Sequence, residues 1–236
     1  ISQGDLVERF KETMERHFDE ELKLLKQKLL EMADLSLEMI GFSIRSLTER
    51  DQALGEQTLR IEDRVNHMEV EIEEEVLNLL ALRQPAARDL RFLTAVLKIN
   101  NDLERIADQA CNIAETVFYL LQEPPLKVPL IDIPMMAALS QKMVKESMDA
   151  FVNHDPVLAH AVCEHDDEAD WINDQIFRVL LTCMMENAKS ITRAVDLILV
   201  SRNLERIADH ATNIGEEVIF IEEGKNIKHH IQKASQ

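Results

Sequence analysis

Pairs of acidic residues four positions apart recur along this chain of 236 residues. A spacing of four places both side chains on one face of a helix. Carboxylate oxygens are the ligands that hard cations such as magnesium, calcium, manganese and iron prefer in proteins. If the chain around them is helical, these pairs therefore predict cation binding. The pairs of interest are Glu104 and Asp108, Asp166 and Asp170, and Glu205 and Asp209.

The acidic pairs are predicted to face one another across turns between neighbouring helices. Residues at equal distances from a turn lie side by side on antiparallel helices. The two pairs of the second half stand at matching distances from a turn near Asn187, and the pair of the first half matches positions 62 and 66 about Pro85. Two oxygen clusters are therefore predicted: a first-half cluster of Glu62, Asn66, Glu104 and Asp108, and a second-half cluster of Asp166, Asp170, Glu205 and Asp209.

An acidic stripe on a helix also has a simpler interpretation as a solvated surface. Glu104 and Asp108 fall on the side of their helix opposite Ile106, so the clusters are expected on the outer surface. Four carboxylates on facing helices repel one another. A bound cation would offset this repulsion, but the neighbouring Arg105 and Arg206 would also do so. The pattern therefore indicates metal ligands without requiring a metal.

Composition predicts that helices carry these residues. The chain is 46% hydrophobic and 4% aromatic, and it contains five Gly and six Pro. So few turn-forming residues cannot separate many short strands, whereas abundant Leu, Glu, Ile, Ala and Met favour long helices. The predicted fold class is all-α. Apolar residues recurring at threes and fours place the helices at about 5–49, 52–83, 86–121, 135–153, 155–186 and 188–222.

The chain repeats itself on either side of a proline-rich stretch. Leu103–Glu115 and Leu204–Glu216 are identical at ten of thirteen positions. Four of the six prolines fall between 124 and 134, where they disfavour helix. The sequence therefore predicts a tandem repeat of two three-helix up-down-up bundles. Residues 1–121 form the first bundle with an N-terminal helix extension, 122–134 a linker, 135–225 the second bundle and 226–236 a tail.

The formal net charge of −18 restricts the partners of the chain. Phosphate backbones and anionic membranes repel such a chain, so nucleic-acid binding is not expected, whereas cations and basic protein surfaces suit it. No apolar run predicts a membrane span, and the start does not resemble a signal peptide. The three cysteines, without a CxxC spacing, are expected to be reduced thiols in the cytoplasm. His210 beside Asp209 is a further candidate ligand, although Gln109 holds the matching first-half position.

The chain resembles the PhoU family of phosphate-transport regulators over essentially its whole length. The resemblance is carried by the two copies of Leu-Glu-Arg-Ile-Ala-Asp-x-Ala-x-Asn-Ile and by the segments Phe18–Leu25 and Gln84–Arg91. The family's metal motif, an acidic residue followed four positions later by Asp, matches three of the four pairs. Asn66 departs from it, and because an amide oxygen is a weaker ligand, the first-half cluster is expected to hold fewer ions or hold them less tightly.

The resemblance implies a cytoplasmic, usually dimeric protein that binds divalent or trivalent metal ions. Multinuclear iron is the first expectation, with zinc, manganese or magnesium as alternatives. The resemblance further implies that the chain damps the phosphate-starvation response. It would act through contacts with the cytosolic subunit of the phosphate ABC transporter and with a sensor histidine kinase.

Two other classes of protein stay open at this point. A ferritin-like di-iron oxidase needs Glu-x-x-His on two helices, and none of the eight histidines has Glu three positions before it. A metal-free helical adaptor shares the same helical features and is harder to separate from a metal-binding regulator. The chain has no P-loop, dinucleotide fingerprint or nucleophile elbow, so no enzyme activity is expected.

Overall fold

The structure, a computed structural model, describes residues 3–83, 85–126 and 132–227. This part of the chain forms seven α-helices, a short 3-10 turn and no strand, which confirms the all-α prediction. None of its helices is long and apolar enough to cross a membrane. The helices are α1 (Gln3–Glu49), α2 (Gln52–Arg83), α3 (Ala87–Gln122), α4 (Asp132–Asn153), α5 (Pro156–Glu164), α6 (Asp166–Glu186) and α7 (Ile191–Glu223).

Local signals set the ends of the helices in the first half. α1 ends where Arg50 takes a left-handed φ of 55°. Asp51 then caps α2 by accepting a hydrogen bond from the backbone N–H of Ala53 at 2.9 Å. The Arg50 guanidinium donates to the carbonyl oxygens of Leu121 and Glu123, at 3.1 and 2.8 Å. The turn between α1 and α2 is thereby tied to the end of α3, which closes the first bundle.

The helices of the second half begin at other positions than predicted. α4 begins at Asp132, three residues before the predicted start, because Pro134 is tolerated in the first turn of a helix. The helix predicted from 188 begins as the 3-10 turn Ala188–Ser190 and becomes α-helical at Ile191. Residues 127–131 of the predicted linker and 228–236 of the predicted tail lie outside the described residues.

The helix predicted over 155–186 is two helices in the structure. Asp155 caps α5 by accepting hydrogen bonds from two backbone N–H groups, at 3.0 and 3.1 Å. At His165 the backbone N–H donates to the carbonyl of Val162, three residues back, which makes a tighter turn than an α-helix. α6 then begins at Asp166 with three acidic residues in its first turn, where the helix dipole favours negative charge. The break therefore places Asp166 at a helix start.

Within the described residues, both halves contribute to one continuous hydrophobic core. Buried serines link the helices of each half at equivalent positions. Ser36 on α1 donates to the carbonyl of Leu103 on α3 at 3.3 Å, and Ser140 on α4 donates to that of Leu204 on α7 at 2.9 Å. The three-dimensional structure therefore repeats as the sequence does.

The two halves pack together through α3 against α7 and through α1 against α4. Lys98 on α3 pairs with the buried carboxylate of Glu217 on α7 at 3.0 Å. On the other side, the Lys26 amine on α1 donates to the carbonyl of Val152 on α4 at 2.7 Å. Polar contacts on both sides of the shared core thus fix how α3 is aligned with α7 and how α1 is aligned with α4.

Candidate metal centre

The second-half cluster lies on the seam between α6 and α7. Asp166 and Asp170 are on α6, and Glu205 and Asp209 are on α7. Burial raises the pKa of Asp209, and the negative charges of Asp166 and Asp170 raise it further. Burial and the charges of Asp209 and Asp170 likewise raise the pKa of Glu205. The carboxylates of α7 therefore share one electrostatic environment with those of α6.

Side-chain hydrogen bonds hold α6 against α7 beside this cluster. Thr212 Oγ1 on α7 donates to Asp166 Oδ1 at 3.1 Å, and Ser201 Oγ on α7 donates to Asn173 Oδ1 on α6 at 2.6 Å. Burial raises the pKa of Asp166 more than the hydrogen bond from Thr212 lowers it. The backbone around the cluster is thus anchored, while the carboxylates keep an unfavourable negative charge.

In the described part of the chain, no basic side chain forms an ion pair with the carboxylates of the second-half cluster. The positive charge of Arg206 lowers the pKa of Glu205 and of Asp209, but burial and the neighbouring carboxylates outweigh it. Partly buried negative charge without a direct counter-ion costs free energy. A cation bound at this seam would therefore stabilise the fold.

The first-half cluster is already partly neutralised by arginine. Arg105 Nε lies 3.5 Å from Glu104 Oε2, and Arg105 Nη1 lies 3.4 Å from Asp108 Oδ2. Burial nevertheless raises the pKa of Glu104, and the charge of Asp108 adds to it. Glu62 on α2 faces the same seam, since its charge and that of Asp108 both act on the thiol of Cys111. This cluster therefore needs a cation less than the second-half cluster does.

Glu69 on α2 lies near enough to the first-half cluster for its charge to act on Glu104, which the spacing in the sequence does not predict. The charge of Glu69 on α2 contributes to the raised pKa of Glu104, after burial and Asp108. The predicted member Asn66 is exposed. The equivalent positions in the second half are Asp170 and Asn173. Carboxylate and amide have thus exchanged places between the repeats, and this exchange is the sequence signal that could have identified Glu69.

The carboxylates of the clusters differ in how far neighbouring helices cover them. The Glu104 side chain is 17% exposed and Glu205 is half-buried, whereas Asp170 and Asp209 are exposed. Both glutamates stand on the side of their helix that is turned away from the apolar stripe, but the neighbouring helix of the hairpin covers that side. The glutamates are therefore partly covered at the seam between paired helices, whereas Asp170 and Asp209 stay open to solvent.

Two of the three thiols lie near the clusters. Burial, followed by the charges of Glu216 and Asp166, raises the pKa of Cys163 to about 12. Burial also raises the pKa of Cys111, and the charge of Glu62 adds to it. Both thiols are consequently protonated near neutral pH, and a protonated thiol is a poor metal ligand. The available donors of both clusters are therefore oxygen atoms, from carboxylates and, at Asn66, from an amide.

The donor chemistry of the second-half cluster fits a hard cation, because oxygen ligands without a competing ion pair suit iron, manganese or magnesium. Its side chains do not yet enclose an ion. Among the residues that the structure describes, no three His, Cys, Asp or Glu side chains are close enough to hold a metal. Binding therefore requires the carboxylates to rotate toward one another on helices that stay in place.

His210 does not join the second-half cluster. Its Nδ1 lies 2.8 Å from Asp102 Oδ1 on α3, and Asn213 Nδ2 donates to the same oxygen at 3.2 Å. The imidazole thus links the two halves of the protein, while Asp209 faces α6.

A family model described as PhoU domain matches the chain twice, at residues 29–117 and 133–218. The chain is 36% identical over 214 residues to the phosphate-specific transport system accessory protein PhoU homolog of Pseudomonas aeruginosa, covering 91% of this chain and 88% of the relative. A protein of the same description from Aquifex aeolicus is 38% identical over 214 residues, covering 90% of this chain and 96% of the relative.

Solved structures share this architecture. The crystal structure of PhoU from Pseudomonas aeruginosa superposes with a TM-score of 0.86 at 37% identity, covering 88% of this chain and 100% of that one. The phosphate transport system regulatory protein PhoU from Streptococcus pneumoniae superposes with a TM-score of 0.82 at 27% identity, covering 89% and 99%. Both repeats and their arrangement are therefore common to these proteins.

Proposed function

This chain belongs to the PhoU family, and we propose that it acts in the cytoplasm as a negative regulator of phosphate uptake. The observation that carries the proposal is that the family model matches both halves, over residues 29–117 and 133–218. Relatives at 36% and 38% identity are named as accessory proteins of the phosphate-specific transport system. The chain is accordingly an accessory protein of phosphate transport, and its family is not one of enzymes.

The partners in this proposal are the cytosolic subunit of the phosphate ABC transporter and the sensor histidine kinase of the starvation response. The net charge of −18 supports it, because a strongly acidic surface accelerates association with basic patches on other proteins. The continuous core shared by both halves also supports it, since a rigid surface loses little conformational entropy on binding. Regulation then depends on contact and requires no turnover.

The outer face of α6 and α7 supports a homodimer. Three apolar side chains on each helix stand at matching distances from the intervening turn, and all are exposed. A contiguous exposed apolar surface marks an interaction site. Residues 175–202 carry four Lys and Arg against two Asp and Glu, so two copies of this acidic chain would meet here without a net negative charge on either side. This apolar strip consists of Phe177, Leu181 and Met185 on α6 and Ile191, Val195 and Leu199 on α7.

The second-half cluster is the stronger of two proposed metal sites, and the first-half cluster, already partly neutralised by Arg105, is the weaker one. Asp166, Asp170, Glu205 and Asp209 would supply oxygen donors to iron first, with zinc, manganese or magnesium as alternatives. The bound cation supplies positive charge that the carboxylates lack. The support for this role is the raised pKa values of Asp166, Glu205 and Asp209 without a direct ion pair. Neutralising them would fasten α6 to α7.

A metal-free adaptor is the second candidate. One observation favours it, namely that the described side chains include no group of three ligands ready to hold a metal. Metal analysis of protein purified without chelator separates the two candidates. Stoichiometric iron or another transition metal supports the metal-binding regulator, and a metal-free protein that still represses supports the adaptor.

Complementation tests the regulatory function. In a bacterial strain that lacks its own PhoU protein, this chain is expected to restore repression of a phosphate-starvation reporter when phosphate is plentiful. The double variant E205A/D209A is expected to lose repression, whereas E73A/E74A, which removes two exposed carboxylates from α2, is expected to keep it. A folded parent protein that leaves the reporter fully active contradicts the proposal. A double variant that represses like the parent would show that repression does not require the proposed metal site.

A further inference from the structure

A pocket at the junction of the two halves gathers basic side chains in a chain whose net charge is −18. It has a volume of about 300 Å³ and is lined by α1, the start of α3, the turn after α4 and the end of α7. None of its residues belongs to either carboxylate cluster or to the apolar strip. Lys23, Lys26, Arg88 and His154 supply the basic groups, and Leu22, Phe92 and Ile221 supply apolar walls.

Glu222 acts as an internal counter-ion in this pocket. His154 Nδ1 lies 2.6 Å from Glu222 Oε1, and Arg88 Nη2 lies 3.7 Å from Glu222 Oε2. The Glu222 side chain is 15% exposed, so these basic groups reach it inside the pocket. The pocket also contains one other acid, Asp89, against two lysines and an arginine. Positive charge is therefore in excess even before the imidazole is protonated.

The basic groups are held in place and retain free donors. The Lys26 amine donates one hydrogen bond, to the carbonyl of Val152 at 2.7 Å, and lies 5.5 Å from the centre of the Phe151 ring. An ammonium group has three donors, so two stay available. His154 takes a left-handed φ of 54°, and from this turn its imidazole reaches Glu222. Arg88 is 71% exposed, and only Nη2 of its guanidinium group, which has five N–H donors, lies near Glu222.

We propose that this pocket binds a small oxyanion of the phosphate class, which takes over Arg88 and His154 from Glu222 and accepts the remaining donors of Lys26. A phosphate carries more charge and more acceptor oxygens than a carboxylate, and Arg and Lys donors bind it with charge-assisted hydrogen bonds. Lys26 and Arg88 belong to the first half, whereas His154 and Glu222 belong to the second. A bound oxyanion therefore joins the two halves at a place remote from the metal site. This inference does not depend on the proposed regulatory function.

Calorimetric titration of the metal-free protein with inorganic phosphate and with pyrophosphate tests the inference, at low salt and after chelator dialysis. The parent is expected to show saturable binding. R88Q is expected to weaken binding about tenfold, since one charge-assisted contact is lost. E222Q is expected to tighten it about tenfold, because the competing carboxylate is removed while its shape is kept. R178Q is the matched control, since Arg178 is 70% exposed and pairs with Asp174 elsewhere on α6; it should bind like the parent.

Several results would overturn the inference. Absence of saturable binding in both the parent and E222Q excludes an oxyanion site. Binding that R88Q and K26M both leave unchanged places the anion elsewhere. Weaker binding by E222Q shows that Glu222 is a structural ion-pair partner and not a competitor. Because Arg88 is largely exposed, R88Q tests the site even if K26M fails to fold. The titration contains neither partner protein nor metal, so its outcome is separate from that of the complementation test.

Discussion

Asp102 on α3 and His210 on α7 lie 2.8 Å apart, carboxylate oxygen to imidazole nitrogen, in the interface between the two halves of the protein. Asn213 on α7 donates to the same oxygen at 3.2 Å. Asp102 is buried, so it depends on these two partners. A buried polar group left without a partner costs more free energy than the hydrogen bond contributes. The pair therefore specifies how α7 aligns with α3.

Removing this imidazole is expected to weaken the fold. H210A should lower the free energy of unfolding by about 1–2 kcal/mol, because the Asp102 carboxylate loses its shorter contact. Urea unfolding followed by circular dichroism measures the change. H160A is the control: His160 faces Glu223 at 3.7 Å from an exposed position, and its loss should change stability by less than about 0.5 kcal/mol. Equal effects of the two variants would show that the Asp102 contact adds nothing.

The sequence predicts the two clusters but not the Asp102–His210 link, for a physical reason. Distance from a turn determines which residues are neighbours within a helical hairpin, so Asp166 can be placed beside Asp209 from their positions alone. The packing of α3 against α7 joins residues more than a hundred positions apart, and no local period encodes it. The break at His165 is equally hidden, because Val162 and Asp166 both fit a continuing helix.

The raised pKa of Asp209 predicts how stability depends on pH in the metal-free protein. The folded state binds this proton more tightly than the unfolded chain, so the ionised carboxylate is unfavourable above the folded pKa. Because Asp209 is exposed and solvent screens the repulsion, D209N should stabilise the chelated protein by no more than about 0.5 kcal/mol near neutral pH. As pH falls through the folded pKa of Asp209, the parent takes up the proton and the advantage of D209N should disappear.

Urea unfolding at neutral pH and at about pH 4 measures this dependence. D174N is the matched control on α6, because the Asp174 carboxylate pairs with Arg178 at 2.8 Å. It should give no gain at either pH. A D209N protein that is less stable than the parent at neutral pH would show that the cluster is not repulsive.

Metal content tests the second-half cluster directly. E205A/D209A should lower bound metal by about half, because one of two oxygen clusters is lost. The helical circular dichroism spectrum should stay unchanged, since neither side chain belongs to the hydrophobic core. Elemental analysis of protein purified without chelator measures the change, with E73A/E74A as the control for lost negative charge. Unchanged metal content contradicts the assignment of Glu205 and Asp209 as ligands.

The two clusters are expected to differ in how firmly they hold metal. Arg105 already neutralises Glu104 and Asp108, and Asn66 is a weak exposed donor, so the first-half cluster should empty at lower chelator concentration. N66D should raise the concentration needed, because it adds a carboxylate to that seam. Chelator titration of the parent and of N66D measures both effects. If the clusters empty together before and after the change, position 66 is immaterial to metal binding.

The apolar strip predicts a homodimer that depends on the second half alone. Leu181 lies in the strip, and its repeat counterpart Leu77 on α2 is also exposed, at 53% against 42%. The surroundings differ, because Glu73, Thr94 and Lys98 occupy the positions in the first half that correspond to Phe177, Val195 and Leu199.

L181D should therefore weaken the dimer at least about tenfold, since a charge is buried at the centre of an apolar contact, whereas L77D should leave the dimer intact. Light scattering after size exclusion measures the mass of each variant. Both changes replace an exposed leucine on an equivalent helix, so a general loss of stability would affect them alike. A parent that is monomeric at high micromolar concentration contradicts the homodimer. A dimer lost in L77D but kept in L181D would move the interface to α2, where the charged neighbours of Leu77 would have to be paired across the two copies.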